Sequence, residues 1–473
     1  MKFRTERDPL GEMQVPADAY YGVQTVRAAE NFPISGLRAP ADLVTATILV
    51  KKAAALANQS LGRLDPEVAR VIVAAADEIL AGGLREQFIV DVYQAGAGTS
   101  HNMNANEVLA NRASEILGAP RGTYTRVHPN DHVNMGQSTN DVYPTATRLA
   151  LLLGAGPLVA AARGLADSLA KKGDEFAHVL KTGRTHLQDA VPITLGQEFS
   201  GYAECVGSGA HDVAQAAEQL NELNIGATAV GTGLNAGDPF RRLVVEQLAR
   251  ETTLPLTPAI NLFRVTQSMG DVLAYSGGMR RLAVEVSKVA SDLRLLSMGP
   301  QAGLSEIALP AMQPGSSIMP GKVNPSVPEM VNQVCFQVAG CDHTVAAACE
   351  AGQLELNVMM PVIAWNALHA STILREAMKV LRTRCVDDIT ANEARARELL
   401  DRSTAAATAL SPYIGYAATA EIAKDAIRTG KTIRQLALDR GLLDAKKLDE
   451  ILSVEAMTRG GITGAGKAGG EKS

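Results

Sequence analysis

Two hydroxyls, an ammonium and an amide are packed into Gly315-Ser316-Ser317-Ile318-Met319-Pro320-Gly321-Lys322-Val323-Asn324-Pro325. That set of groups suits an anion. Lys322 brings charge, Asn324 an amide donor, and the Gly315-Ser316-Ser317 backbone its N–H groups. Gly and Pro punctuate the run, so it forms neither a regular helix nor a strand. The same punctuation predicts a lid that closes over a ligand.

Three more polar clusters lie far from this loop in sequence. Residues 96–107 carry Thr99, Ser100, His101 and the asparagines Asn102, Asn104 and Asn106. Residues 128–141 carry His128, His132, Ser138, Thr139 and Asn140, and residues 181–189 carry Arg184, Thr185 and His186. Each borders a helical pattern, and any one alone could be a capped helix end. Four of them between long apolar segments point to a pocket with many neutral donors and few charges. Such a pocket fits a small polycarboxylate.

The elements that must position these clusters are mostly helices. Three segments without internal proline keep helical period: about 194–221, about 265–298, and from Pro328 onward to Leu354. Each is roughly 40–45 Å long at helical rise. Apolar residues fall on more than one face, and small residues (Gly201, Gly207, Gly209, Gly277, Gly278) permit close approach. A lone chain cannot bury all sides of such rods, so self-association is expected. Asp65-Pro66-Glu67 opens another helix, which stops at Gly82-Gly83. The division read from these patterns is a mixed, mostly helical segment 1–140, a long-helix bundle 141–390, and a small helical segment 391–473 with a flexible Gly-rich tail.

Composition narrows the function classes. The 473 residues carry a net charge of −5, which argues against binding nucleic acid or anionic membranes. No stretch reads as a membrane span or signal core, so a soluble, cytoplasmic protein is expected. Aromatic residues make up only 4 %, while Ala, Leu and Val abound, which favours packed helices. Cys205, Cys335, Cys341, Cys349 and Cys385 form no C-x-x-C pair and are expected to be buried, reduced thiols. Helices after Thr432 and Asp444 have helix–turn–helix spacing, but Asp444, Asp449 and Glu450 offset Lys446 and Lys447 where a basic reader is needed. Gly231-Thr232-Gly233-Leu234-Asn235-Ala236 matches a dinucleotide fingerprint in letters only, because it lies between helical rods. Gly461–Lys467 resembles a phosphate loop but lacks the hydroxyl residue and helix that must follow. No HExxH motif or thiolate cluster has metal-ligand spacing, so no metal site is expected.

The chain resembles the aspartase/fumarase superfamily over nearly its whole length. The 315–325 loop carries that resemblance most specifically. Pro16-Ala17-Asp18-Ala19-Tyr20-Tyr21-Gly22-Val23, Gly98-Thr99-Ser100, Pro325–Val334 and Gly352–Met359 support it. Within the superfamily the chain is similar to the aspartase branch. Class II fumarases usually carry Gly-Thr-Gln-Ser at the first cluster and Cys-Glu-Ala after the loop, and this chain does not. The resemblance implies an all-α, mainly helical fold with a long central bundle. It also implies a homotetramer whose core gathers about twenty helices, with each active site drawn from three subunits.

The activity implied is reversible deamination of L-aspartate to fumarate and ammonia, without a cofactor. The Cβ proton of aspartate is barely acidic. It can leave only if the adjacent carboxylate takes up the electron pair as a dianionic enediolate, so the site must stabilise charge there. By resemblance Ser316 is the general base, its alkoxide stabilised by loop N–H groups and Lys322. Thr99, Ser138, Thr139 and Ser317 would hold the reacting carboxylate, and Lys322 and Asn324 the other. Thr185 and His186 would contact substrate, Asn140 the amino group, and Glu329 would pair with His186 and orient its ring. Met135-Gly136, His101 and Met360 depart from common family residues beside these clusters. The nearest alternative is a class II fumarate hydratase. A more distant one is a non-catalytic structural protein that kept the fold.

Overall fold

The structure, a computed structural model, describes residues 2–464. Local signals placed the starts of three helices. Asp65 accepts hydrogen bonds from the N–H groups of Glu67 and Val68 and starts a helix with Pro66 in its first turn. Thr432 and Gln435 form a reciprocal capping box, and Asp444 caps the next helix through Lys447 N–H.

β1 (Phe3–Asp8) and β2 (Gly11–Pro16) pair antiparallel, followed by α1 (Val23–Asn31), α2 (Ala41–Ser60), α3 (Pro66–Leu80) and α4 (Thr99–Ile116). After α5 (Thr139–Glu175), a second hairpin pairs β3 (Leu180–Thr185) with β4 (Gln188–Thr194). Then come α6 (Leu195–Glu218), α7 (Asp238–Thr252), α8 (Leu262–Gln267), α9 (Gly270–Leu296), α10 (Ser326–Glu350) and α11 (Met360–Arg384). Shorter helices follow, among them Tyr416–Thr429, Ile433–Asp439 and Ala445–Ile451.

Three rods were expected, and among the described residues five of at least 24 residues occur: α5, α6, α9, α10 and α11. The rod expected at about 265–298 breaks at Ser268-Met269 into α8 and α9. Proline hid α5, the longest, because Pro144 and Pro157 lie inside it. An internal proline removes one N–H and orphans the carbonyl four residues earlier. Here that carbonyl, Asn140 O, accepts instead from Asn224 Nδ2 at 3.2 Å. By length and composition α5 could cross a membrane, yet 61 % of its apolar window is buried. It also carries Arg148, fully buried and paired with Asp271 at 2.6 Å, as a core helix can.

The chain divides into two compact units. One comprises Met1–Ala161, Gly209–Val284 and Val334–Glu376; the other comprises Ala162–Ser208, Glu285–Gln333 and Ala377–Ser473. In the first, Ile48 of α2, Ile72 and Ile79 of α3, and Val108 and Leu109 of α4 form one core. The polar face of α4 is buried as well, and it stitches loops. Asn104 bonds Gln87 O and Ile89 N–H, while Glu107 accepts from the N–H groups of Gly22, Gln24 and Thr25 and from the Thr25 hydroxyl. In the second unit, Leu410, Ile422, Ile433, Leu436, Leu448 and Ile451 form a satellite core.

Two expectations change. Cys205 is exposed, while Cys335, Cys341 and Cys385 are buried; all five are free thiols. The Gly-rich tail is tied down as far as Gly464. Tyr413 Oη donates to Thr463 O, Lys447 Nζ to Gly464 O and Thr463 Oγ1 to Ile451 O, at 2.6, 2.6 and 2.9 Å. The rest of that run, 465–473, lies outside the described residues.

Candidate active site

The candidate residues divide between the two units. Thr99, Ser138, Thr139 and Asn140 belong to the first, and the others to the second.

In the first unit two helix N-termini meet. Thr99 opens α4 and Thr139 opens α5, and their hydroxyl oxygens are 3.2 Å apart. Gly98, at φ +97°, permits this approach, because a Cβ there would sit 2.2 Å from the Tyr143 ring. Thr99 Oγ1 also reaches Gly96 O at 2.6 Å, and Thr139 Oγ1 accepts from Asn102 Nδ2 at 3.0 Å. Ser138 Oγ accepts from Asn140 N–H and caps α5. Two helix N-termini and the adjoining hydroxyls of Thr99 and Thr139 make a ready seat for a carboxylate, with Ser138 the next residue along the chain. Asn140 Nδ2 donates one hydrogen to Ala229 O at 2.8 Å, which sets the amide's orientation and leaves the acceptor Oδ1, with the second amide hydrogen, open.

Beneath this seat lies a buried polar layer that the sequence reading missed. Lys51 is fully buried, and its Nζ donates to Asn134 Oδ1 at 2.8 Å and Gln137 Oε1 at 2.9 Å. Burial pulls its pKa down to about 7, against the attraction of Asp141. Burial pushes Asp141 up to about 7, against N–H groups of Ser138, Thr228 and Gly226 and the charge of Lys51. One signal could have found Lys51: a charged residue on the inward face of α2, in phase with Val44, Ile48 and Ala55.

His101 joins this layer. It is 2 % exposed, with Nε2 2.9 Å from Thr47 Oγ1. The Thr47 hydroxyl already donates to Leu43 O, so the ring is the donor and the neutral Nε2–H tautomer follows. Burial, with Lys51 nearby, pulls its pKa down to about 4 from 6.5. The unfolded chain therefore binds this proton between those values. The stability contribution is complete above about 6.5 and is lost as pH falls through about 4. His101→Val should narrow the gap in unfolding free energy between about pH 7 and pH 4.5 by up to about 3 kcal/mol. Denaturant titrations at both values measure it, and an unchanged gap would refute the assignment. Gly136 takes φ +73°, a backbone that glycine adopts freely, beside Phe240.

In the second unit Thr185 and His186 stand at the exposed tip of the β3–β4 hairpin. Thr185 pairs with Gln188, and the two turn residues, His186 and Leu187, take φ +52° and +62°. Glycine and asparagine usually fill such a turn, so the tip is strained. An ion cluster grips its base. Arg184 makes three contacts of 3.0–3.1 Å with Glu306, which is fully buried, and Lys181 reaches Glu306 at 3.2 Å and Glu198 at 2.6 Å.

The 315–325 loop has a closed neck and an open tip. Gly315 N–H donates to Lys322 O at 2.7 Å, and Asn324 Nδ2 donates to Gly315 O at 2.8 Å. A Cβ on Gly315 would lie 2.6 Å from Lys322 O, so only glycine fits. Ser316 Oγ accepts from Ile318 N–H at 3.2 Å and Met319 N–H at 3.0 Å. Ile318 is 83 % exposed, as the tip of a lid would be. A cavity of about 780 Å³ opens beside the neck, lined by Arg294, Met298, Lys322 and Asn324 among others. Ser317 and Lys322 are exposed at the loop surface. Glu329 lies exposed in the first turn of α10, and among the described residues no hydrogen bond joins it to His186 within the chain.

Known proteins resemble this chain along its whole length. The pattern of the family described as Lyase matches residues 11–340, and that described as Fumarase C C-terminus matches 407–459. An aspartate ammonia-lyase of Bacillus sp is 50 % identical, covering 98 % of both chains. One from Pseudomonas fluorescens is 51 % identical over 96 % of both. Among solved structures, a cobalt-bound fumarate lyase:delta crystallin from Brucella melitensis matches with a TM-score of 0.92 at 51 % identity, over 97 % of this chain and 100 % of that one. A class II fumarase from Schistosoma mansoni matches at 0.94 with 38 % identity, over 97 % and 99 %.

Proposed function

The chain belongs to the aspartase/fumarase superfamily, and from that premise we infer its chemistry: it is a carbon–nitrogen lyase that takes L-aspartate reversibly to fumarate and ammonia. One observation carries the mechanism. Ser316 Oγ already accepts two backbone N–H groups of its own loop, so an alkoxide there is stabilised before it forms. That alkoxide takes the Cβ proton. The electron pair moves into the adjacent carboxylate, which becomes a dianionic enediolate and then expels ammonia from Cα. Thr99, Ser138 and Thr139, at two helix N-termini, receive the growing charge with Ser317. Lys322 and Asn324 hold the second carboxylate. Asn324 has one amide hydrogen left for this after its bond to Gly315 O. Asn140 offers Oδ1 to the substrate's ammonium, and Thr185 and His186 complete the contacts. No metal or other cofactor enters this scheme.

We propose that these groups assemble across a cytoplasmic homotetramer, with Glu329 and His186 pairing between subunits. Large apolar side chains left exposed midway along rods, such as Val284 on α9 and Phe336 on α10, support association. The three segments 1–140, 141–390 and 391–473 remain the proposed division of labour, with the rods of the middle segment as the scaffold.

The test is an ultraviolet assay of fumarate, run separately on L-aspartate and L-malate with purified protein. Fumarate from aspartate with equimolar ammonia is expected. Fumarate from malate alone would establish the hydratase reading instead. Activity on neither would point to other succinyl substrates, with His101 and Met135 as the first residues to test.

A further inference from the structure

The segment Asn224–Ala229 grips the start of α5 at three points. Asn224 Nδ2 donates to Asn140 O at 3.2 Å, the carbonyl that Pro144 leaves without a helical partner. The N–H groups of Gly226 and Thr228 donate to Asp141 Oδ2 at 2.9 and 2.8 Å. Ala229 O accepts from Asn140 Nδ2 at 2.8 Å. Asp141 is fully buried, and its other oxygen accepts from Ser138 N–H at 2.9 Å. One carboxylate therefore ties the backbone at the start of α5, through Ser138 N–H, to this loop.

The loop is held at a cost. Thr228 is β-branched, yet takes φ +57°. Its hydroxyl is buried, with no hydrogen-bond partner among the described residues. A backbone this unfavourable persists where the surroundings impose it, and such places cluster at functional sites. Only that backbone turn presents the Thr228 N–H and the Ala229 carbonyl to the same helix end. The outcome is an Asn140 amide biased to one orientation, because a flip would set its Oδ1 against Ala229 O. Its donor end is fixed, and its acceptor end is left open.

We propose that Asp141 and Thr228 are positioning residues for the ammonia half of the reaction, locking Asn140 so that its Oδ1 meets the substrate's ammonium. An unlocked amide would present its NH₂ group as readily, and NH₂ repels an ammonium. This inference rests on the lyase reading above. The carboxylate seat at Thr99 and Thr139 does not depend on the side-chain orientation of Asn140. Ammonia recognition and fumarate recognition should therefore separate.

The reverse reaction, fumarate with ammonium chloride, reads them separately. In Asp141→Asn one N–H···carboxylate contact becomes donor against donor. The KM for ammonia should rise about tenfold, the worth of one hydrogen bond to a charged group. The KM for fumarate should stay within about twofold. Thr228→Gly keeps the N–H group and tolerates the backbone, so it folds even if the first variant does not. It frees the loop, and the ammonia KM should rise about threefold. A purely structural role would lower the folded fraction and leave both constants unchanged. Equal rises in the two constants, or no rise, would overturn the inference. The unaltered protein run alongside separates the failures: no turnover from it sinks the lyase reading, whereas normal turnover with ammonia-insensitive variants sinks this inference alone.

Discussion

Ser316→Ala is expected to lower the rate of fumarate formation from L-aspartate by about 10³- to 10⁴-fold, the range that a positioned general base contributes. Only the oxygen is lost. The neck of the loop is tied by Gly315, Lys322 and Asn324, none of which uses the Ser316 side chain. The N–H groups of Ile318 and Met319 lose their acceptor, but both lie at an exposed tip where water replaces it. The thermal midpoint should therefore move little, as for surface substitutions generally. Assay and melt together make the test sharp. Near-normal turnover would remove Ser316 from the role of base, and a lowered midpoint would show that the lost rate reflects damage to the fold.

Glu306→Ala should produce the largest loss of stability among site-supporting residues, about 3–5 kcal/mol, the cost of stripping the partner from buried charges. Glu306 has no solvent exposure, and two cations depend on it. With alanine there, Lys181 keeps Glu198, while Arg184 loses its carboxylate partner. The substitution should also lower kcat/KM, because Arg184 is the residue before Thr185 and anchors the strained tip that carries Thr185 and His186. Denaturant unfolding at one fixed protein concentration measures the first effect, since subunit association would otherwise contribute. An unchanged unfolding midpoint would mean that the cluster contributes no net stability. In that case its desolvation cost offsets its attraction.

The helices show where sequence patterns suffice and where they do not. Asp65, Thr432 and Asp444 announced their helices correctly, because a cap acts within four residues of itself. α5 escaped notice because its prolines read as breaks. Asn224, more than eighty residues away, supplies the donor that makes Pro144 tolerable. Tertiary context overrode a local rule there. The break between α8 and α9 has a similar origin: Arg148 Nη2 reaches Val265 O and Ser268 O, carbonyls at the end of a helix that a continuous rod would have used internally.

The four polar clusters, with the Gly- and Pro-punctuated loop among them, were legible from residue types alone. Hydroxyls, amides and one ammonium between Gly and Pro residues fit few chemistries, and the order of those residues marks the superfamily. Chemical identity travels with the sequence because it needs no partner. Orientation does not. That the hydroxyls of Thr99 and Thr139 meet at two helix ends, that Asn140 turns its acceptor outward, and that Lys51, His101 and Asp141 form a buried layer beneath them all depend on contacts between distant segments. A carboxylate or an ammonium titrates, bonds and repels according to what surrounds it. Those surroundings are set when the chain folds, by residues that no local spacing connects.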